Sequence, residues 1–254
     1  MFNKIIVKVP PESMINGISS NPAVKPIYSK ALKQHKEYVE ALKKCNVSLI
    51  SRLAKQKDYP DSCFIEDTAV LTDKCAVITN PGTDSRKGEI IEVEKELKKY
   101  FKSIEHIKEP GTLDGGDVMR INNHFYIGIS DRTNEAGADQ LISILSNYGY
   151  TGSRIEVNDF LHLKTGVTYL RNNNILTTEE FAGRSEFKKY KIIKVPEDEK
   201  YAANSIWING NIIMPSGYKK TQKRIEDSGY NVITVDMSEF KKLDGGVSCL
   251  SLRF

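Results

Sequence analysis

The sequence predicts an α/β ring of repeated strand–turn–strand–helix units, closed by pairing the two ends of the chain. Three observations carry this expectation. Four stretches repeat one order: alternating apolar residues, a tight turn, a second alternating run, then helix-like sequence. Asn122–Asn123 and Asn209–Gly210 stand between such runs, and these residues suit hairpin turns that need positive φ. The last stretch, GGVSCLSLRF, supplies one strand and stops, so it needs a partner from elsewhere. IIVKV at residues 5–9 is a strand without one, and joining the two would remove exposed sheet edges.

The elements follow in order. After the strand at 5–9, Ala31–Cys45 reads as an amphipathic helix with Leu32, Tyr38, Val39 and Leu42 on one side. FIEDTAVLTDKCAVITNPG is strand, turn, strand, followed by a helix over Glu89–Phe101. DVMRINNHFYIGIS repeats this and leads to a helix over Ala136–Tyr148. TGVTYLRNNNILTTEEF repeats it again, with a short helical stretch running to Tyr190. NSIWINGNIIMPSG is the fourth copy, followed by a helix over Tyr218–Gly229 and the strand NVITV. Each unit takes about 40–50 residues, the period of propellers and arrays. No low-complexity linker interrupts them, so residues 1–254 are expected to form a single domain.

Composition excludes several classes of function. Lys and Arg number 37 against 33 Asp and Glu, and the basic pairs are scattered along helix-like segments. Solvated helix faces explain them, and no nucleic-acid groove is expected. No stretch approaches the ~20 apolar residues of a membrane span, and MFNKIIVKVPPES reads as a first strand, not a signal peptide. A cytoplasmic location is expected. The four cysteines show no C-x-x-C spacing, so neither disulfides nor a metal site is expected. Cys45, Cys63 and Cys75 sit in apolar runs as buried hydrophobes.

Cys249 is different, standing near the chain end just after Leu243-Asp244-Gly245-Gly246. The same LDGG occurs at Leu113–Gly116, and both copies are read as bends at the inner end of a strand, where glycine permits close approach. Corresponding places in the other units are IED at 65–67, KTG at 164–166 and AAN at 202–204. Arranged about an axis, these bends would bring together Glu66, Asp67, Asp114, Asp117, His162, Asn204, Asp244 and Cys249. A cysteine with a histidine suggests a thiolate nucleophile and a proton shuttle. The surrounding carboxylates suit a bound cation, and a guanidinium offers the paired N–H donors they accept. Such a cation would also favour the thiolate, which carboxylates alone would keep protonated. His35, His106 and His124 lack this company and are read as structural.

Taken together, PDSCFIEDTAV, PGTDSRKGE, TLDGGDV, ISDRTNEAGA, LHLKTG, AANSIWIN and LDGGVSC resemble the dimethylarginine dimethylaminohydrolase family of guanidine-modifying enzymes, from the first strand to the last residues. The resemblance implies a five-bladed, pseudo-symmetric α/β propeller (pentein) of ββαβ-type units. It implies hydrolysis of asymmetric dimethylarginine or monomethylarginine to citrulline and dimethylamine or methylamine, without a cofactor. On this resemblance Cys249 would be the nucleophile, His162 the general acid and then base, and Asp114 its orienting partner. Asp67, with Glu66 beside it, would hold the guanidinium, and Asp244 is expected at the substrate as one of the converging carboxylates. Arg86 and Arg132 would clamp the α-carboxylate, and Asp61, with backbone groups of Ile18 and Leu243, would take the α-amino group. ESMINGISS at 12–20 is a candidate lid.

The chain departs from relatives at two places. Asp114 stands where many guanidine-modifying enzymes carry Glu. Lys164 stands where arginine deiminases, which resemble this region, carry Asp, so free arginine is the weaker substrate. Alternatives left open are a deiminase or amidino-group hydrolase acting on another small guanidine, and a non-catalytic protein binding arginine derivatives. The expected partner is a small methylated arginine, with no nucleic acid and no membrane; a homodimer is left open.

Overall fold

Tight turns, three of the four with residues at positive φ, shape the middle of four repeats. In the computed structural model, which describes residues 1–254, Asn122 and Asn209 take positive φ (55° and 48°), as do Arg171, Asn172 and Asn173. Each turn joins a short inner strand to an antiparallel middle strand: β3 (Ala69–Leu71) to β4 (Ala76–Ile78), β6 (Val118–Ile121) to β7 (His124–Ile129), β9 (Val167–Tyr169) to β10 (Asn174–Thr177), and β12 (Ile206–Ile208) to β13 (Asn211–Pro215). A helix then crosses to a third strand parallel to the middle one. These helices are α2 (Ile90–Leu97), α3 (Glu135–Asn147), the short α4 (Glu179–Ala182) and α5 (Lys219–Asp227). They lead to β5 (Ile104–His106), β8 (Thr151–Glu156), β11 (Lys191–Lys194) and β14 (Asn231–Val235).

The fifth sheet is assembled from both ends. β1 (Lys4–Lys8) runs parallel to β2 (Leu49–Leu53) through helix α1 (Tyr28–Lys43), while β15 (Leu252–Arg253) pairs antiparallel with β1, Ile5 opposite Arg253. The result is five three-stranded ββαβ sheets in a ring, the expected five-bladed α/β propeller. Docking of the apolar C-terminus closes it, with backbone bonds between Lys4 and Phe254 in both directions.

Both faces of each middle strand are buried, because neighbouring blades cover them. In β7, Phe125 and Ile127 pack toward Val77 and Leu141, while Tyr126 packs toward Ile175 and Phe181. In β1, Ile5 and Val7 join Ile208 and Ile213 of the last blade, whereas Ile6 joins Ile65 and Ile78 of the next. Period-2 alternation thus distributes side chains between two cores instead of between core and water. Helix α1 buries Ala31, Gln34, His35, Tyr38 and Leu42, spaced by three or four residues, and begins three residues before the sequence pattern predicts.

The third strands LISRL, IEH, TGSRIE and KIIK carry no clear signal in the sequence. They are short outer edges, largely exposed or half-buried, with little alternation. No helix is long and apolar enough to cross a membrane.

Candidate active site

A short helical turn precedes each of four inner strands: Ile65–Thr68, Gly115–Asp117, Leu163–Gly166 and Ser248–Leu250; in the remaining blade, Glu197–Ala203 ends three residues before the strand. These lead-in turns crowd around the axis, and close approach is where glycine is needed. A Cβ on Gly116 would lie 2.7 Å from His162 Nδ1 and 2.8 Å from Asp67 Oδ1; one on Gly246 would lie 2.3 Å from the Asn204 amide carbon. Neither residue has positive φ, so the requirement is space and not an unusual bend.

Asp67, Asp114 and His162 come together with their ligand atoms within 4.8 Å of one another, all buried. Asp114 Oδ2 meets His162 Nε2 at 3.1 Å, and Asp114 Oδ1 accepts the Gly82 N–H at 3.0 Å. Burial opposes the Asp114 charge, but the His162 hydrogen bond and charge hold its carboxyl below the ordinary value. For His162, burial favours the neutral ring; Asp67, Asp117 and Asp114 outweigh it and raise the imidazole to about 9. At neutral pH His162 is therefore an imidazolium, ready to give up a proton from the ring nitrogen not held by Asp114.

Asp117 has a supporting part. It accepts hydrogen bonds from Ser130, Thr133 and the Leu163 N–H, fixing the turn that follows His162, and burial pushes its carboxyl up to about 6. Thr133 also accepts the Asp114 N–H, so one threonine links the Asp114 backbone to the Asp117 carboxylate.

Asp67 is held from both sides: Oδ1 accepts the Gly116 N–H at 2.9 Å and Oδ2 accepts Arg86 Nη1 at 2.7 Å. Arg86 is itself 4% exposed and largely committed. Its Nε and Nη2 donate to Glu89 and to the Phe64 and Asp61 carbonyls, leaving one Nη1 N–H free. Arg132 is half-buried and donates to Thr83 Oγ1.

Cys249 enters from the blade that closes the ring, just before β15, and is buried, with its sulfur accepting the Gly246 N–H at 3.3 Å. Burial, then the charges of Glu66 and Asp67, push the thiol up to about 12. Asp67 thus raises both His162 and Cys249, and it is the group a cation would neutralise first.

The candidate lid is tied down at its tip. The Ile18 N–H donates to Asp61, Ser19 Oγ to the Lys242 carbonyl, and the Ser20 N–H and hydroxyl to Asp244. Ile18, Asp61 and Leu243, the residues expected to take the amino group, lie under one loop together with Asp244. A Cβ on Gly17 would touch both Asp61 and Leu243.

Two expectations change. Glu66 does not stand free beside Asp67: its carboxylate accepts Ser248 Oγ at 2.6 Å, meets Lys164 Nζ at 2.7 Å, and pairs with Arg253. Burial works against its charge, but Lys164 and Arg253 hold it below the ordinary carboxylate range. Lys164 is accordingly the counter-ion of Glu66, so position 164 does not simply lack a substrate acceptor. Glu66 and Asp67, consecutive in one helical turn, meet different partners, which spacing alone does not reveal.

Ser248, Arg253, Glu89 and Thr83 join the site without having been expected from the sequence. Glu89 lies three residues after Arg86 within one helical turn, a spacing that could have found it. Arg253 and Glu66 are 187 residues apart, and nothing local links them.

A family model described as N,N-dimethylarginine dimethylhydrolase, eukaryotic, matches residues 13–252. The chain is 47% identical to N(G),N(G)-dimethylarginine dimethylaminohydrolase of Pseudomonas aeruginosa, over the full length of both. The chain belongs to the dimethylarginine dimethylaminohydrolase family. A Streptomyces coelicolor dimethylarginine dimethylaminohydrolase is 33% identical, aligned over 98% of this chain and 96% of its own length. Two solved structures superpose with a TM-score of 0.98 at 47% identity across both whole chains. One is the C249S variant of the Pseudomonas aeruginosa enzyme with citrulline, the other a dimethylarginine dimethylaminohydrolase H162G adduct with S-methyl-L-thiocitrulline. The N-terminal domain of the arginine dihydrolase ArgZ shares the fold, with a TM-score of 0.88 at 19% identity and 98% of this chain covered.

Proposed function

We propose that the protein hydrolyses Nω-methylated arginines to citrulline and methylamine or dimethylamine. One observation carries this: a buried cysteine and an Asp-held imidazolium flank a fixed carboxylate, in a chain 47% identical end to end to a dimethylarginine dimethylaminohydrolase. The guanidinium of the substrate binds against Asp67, whose oxygens keep lone pairs beyond those used by Gly116 and Arg86. Its positive charge offsets Glu66 and Asp67, which together with burial hold the Cys249 proton, and favours the thiolate; because His162 is already protonated, the thiol proton leaves to solvent.

The sulfur then adds to the guanidinium carbon. The bond from that carbon to the methylated nitrogen breaks, His162 supplies the proton, and the amine departs. A thiouronium on Cys249 remains. Neutral His162 takes a proton from water, the hydroxide adds to the same carbon, and the carbon–sulfur bond breaks to release citrulline and restore the thiol. Asp114 keeps the imidazole oriented through both steps.

Arg132 and the remaining Nη1 N–H of Arg86 receive the α-carboxylate, while Asp61 and the Leu243 carbonyl receive the α-amino group. Residues 12–20 act as the lid. Their tip is held by Asp61 and Asp244, so the loop closes over the substrate that Asp61 helps to bind.

Citrulline release from dimethylarginine, monomethylarginine and arginine tests the reading. Wild-type protein is expected to release citrulline from both methylated substrates faster than from arginine, and Cys249→Ser from none. No release from any of the three would end it.

A further inference from the structure

The inner strands run from the lead-in turns to a second opening on the opposite side of the ring. There a cavity of 1010 Å³ is lined by all five blades. Glu66, Gly115, Lys164, Ser205 and Ser248 face it, so the Glu66–Lys164–Arg253 cluster forms its floor while Cys249 and His162 are absent from its lining.

Its charge is unusual. Seven cationic side chains line it against two carboxylates, Glu66 and Asp73, a surplus of five where the entire chain has a surplus of four. Lys164 and Arg253 are paired with Glu66 at the floor and Arg120 with Asp73, which leaves Lys4, Lys74, Lys102 and Arg171 without a carboxylate partner. Several of these cations rest on aromatic faces. Lys4 Nζ lies 5.2 Å from the Tyr100 ring centre, and the Arg171 guanidinium lies 5.2 Å from Trp207 and 5.9 Å from Tyr169. An aromatic face orients a cation without cancelling its charge, so the field inside a concave, partly apolar wall stays positive. Half-buried rings beside cations are also what a flat aromatic group stacks on.

We propose that this second opening binds a planar organic polyanion of the nucleotide class, its ring on the Trp207–Arg171–Tyr169 side and its anionic groups on Lys4, Lys74 and Lys102. The site shares the Glu66–Lys164–Arg253 cluster with the catalytic one, takes in neither Cys249 nor His162, and does not rest on the proposed reaction.

Trp207 is the sole tryptophan, so its fluorescence reports this opening directly. The probes are ATP without divalent metal, inorganic pyrophosphate and adenosine, titrated at physiological ionic strength, with equilibrium dialysis of labelled ATP as a second readout. The expected result is saturable ATP binding with a dissociation constant below about 1 mM, and weaker binding of pyrophosphate and of adenosine. The double variant Lys102→Glu with Arg171→Gln should weaken ATP about tenfold or more, an effect of at least about 1.4 kcal/mol, and Lys4→Gln should weaken it less. Cys249→Ser should bind ATP like the wild type, which separates this site from the catalytic reading. No saturable ATP binding, or unchanged affinity in the double variant with an unchanged melting temperature, would overturn the proposal. Equal affinity for pyrophosphate and ATP would overturn the role of the aromatic wall.

Discussion

The two LDGG segments share four residues and little else. At Leu113–Gly116 the aspartate is extended (φ −102°, ψ 135°), fully buried, and sets His162; the helical turn begins at once on Gly115 and the inner strand at Val118. At Leu243–Gly246 the aspartate takes φ +57° and turns outward to receive Ser20, while the helical turn comes later, at Ser248, and the strand only at Leu252. The segments are therefore not the same bend in two blades, and Asp244 is not the counterpart of Asp114. What they share is the need for closely approaching backbone: Gly116 makes room for His162 and Asp67, Gly246 for Asn204. Asn204 in turn accepts the Ser248 N–H at 2.9 Å, and the Gly246 N–H donates to the Cys249 sulfur at 3.3 Å, so the second segment sets Cys249 through its backbone, whereas the first sets His162 through the Asp114 side chain.

That contrast can be broken by substitution. Asp114→Asn should have the largest effect, lowering kcat for citrulline release by about 10²–10⁴ through loss of the His162 partner, with a smaller change in KM. Gly116→Ala should follow, at about 10², because the new methyl group displaces the imidazole and Asp67 together; Gly246→Ala should cost less, since only the Asn204 side chain must move. A larger loss in Gly246→Ala than in Gly116→Ala would reverse this ranking.

Stability should show the same division. His162 is held at about 9 against an ordinary 6.5, so its contribution is fully present below about pH 6.5 and is lost as the pH rises through about 9. A melting-temperature series is expected to fall across that window in the wild type and to fall less steeply there in Asp114→Asn. The smallest effect belongs to Asp244→Asn, which should raise KM through the Ser20 contacts and leave kcat within about twofold.

Local chemistry made the hairpins legible. Asn122 and Asn209 dictate turn geometry by themselves, and the incomplete last unit required the pairing seen between Ile5 and Arg253. Of the five outer strands only NVITV was legible; Ile104–His106 and Lys191–Lys194, for example, owe their conformation to the buried strand beside them. In the site, Cys249, His162, Asp114 and Asp67 were reachable from their shared position before inner strands. Glu66 was expected beside Asp67, but its partners Lys164 and Arg253 arrive from two other blades, and nothing in the local sequence announces them. Arg86 was found, but its commitment to Glu89 follows from burial, which spacing does not give.

The covalent role of Cys249 is tested most directly by quenching turnover and weighing the protein. Dimethylarginine and monomethylarginine lose different amines but should leave the same thiouronium, so both are expected to give one identical mass increase on the peptide containing Cys249. Adducts that differ between the two substrates, an adduct on another residue, or turnover with no adduct in acid-quenched samples would contradict covalent catalysis by Cys249.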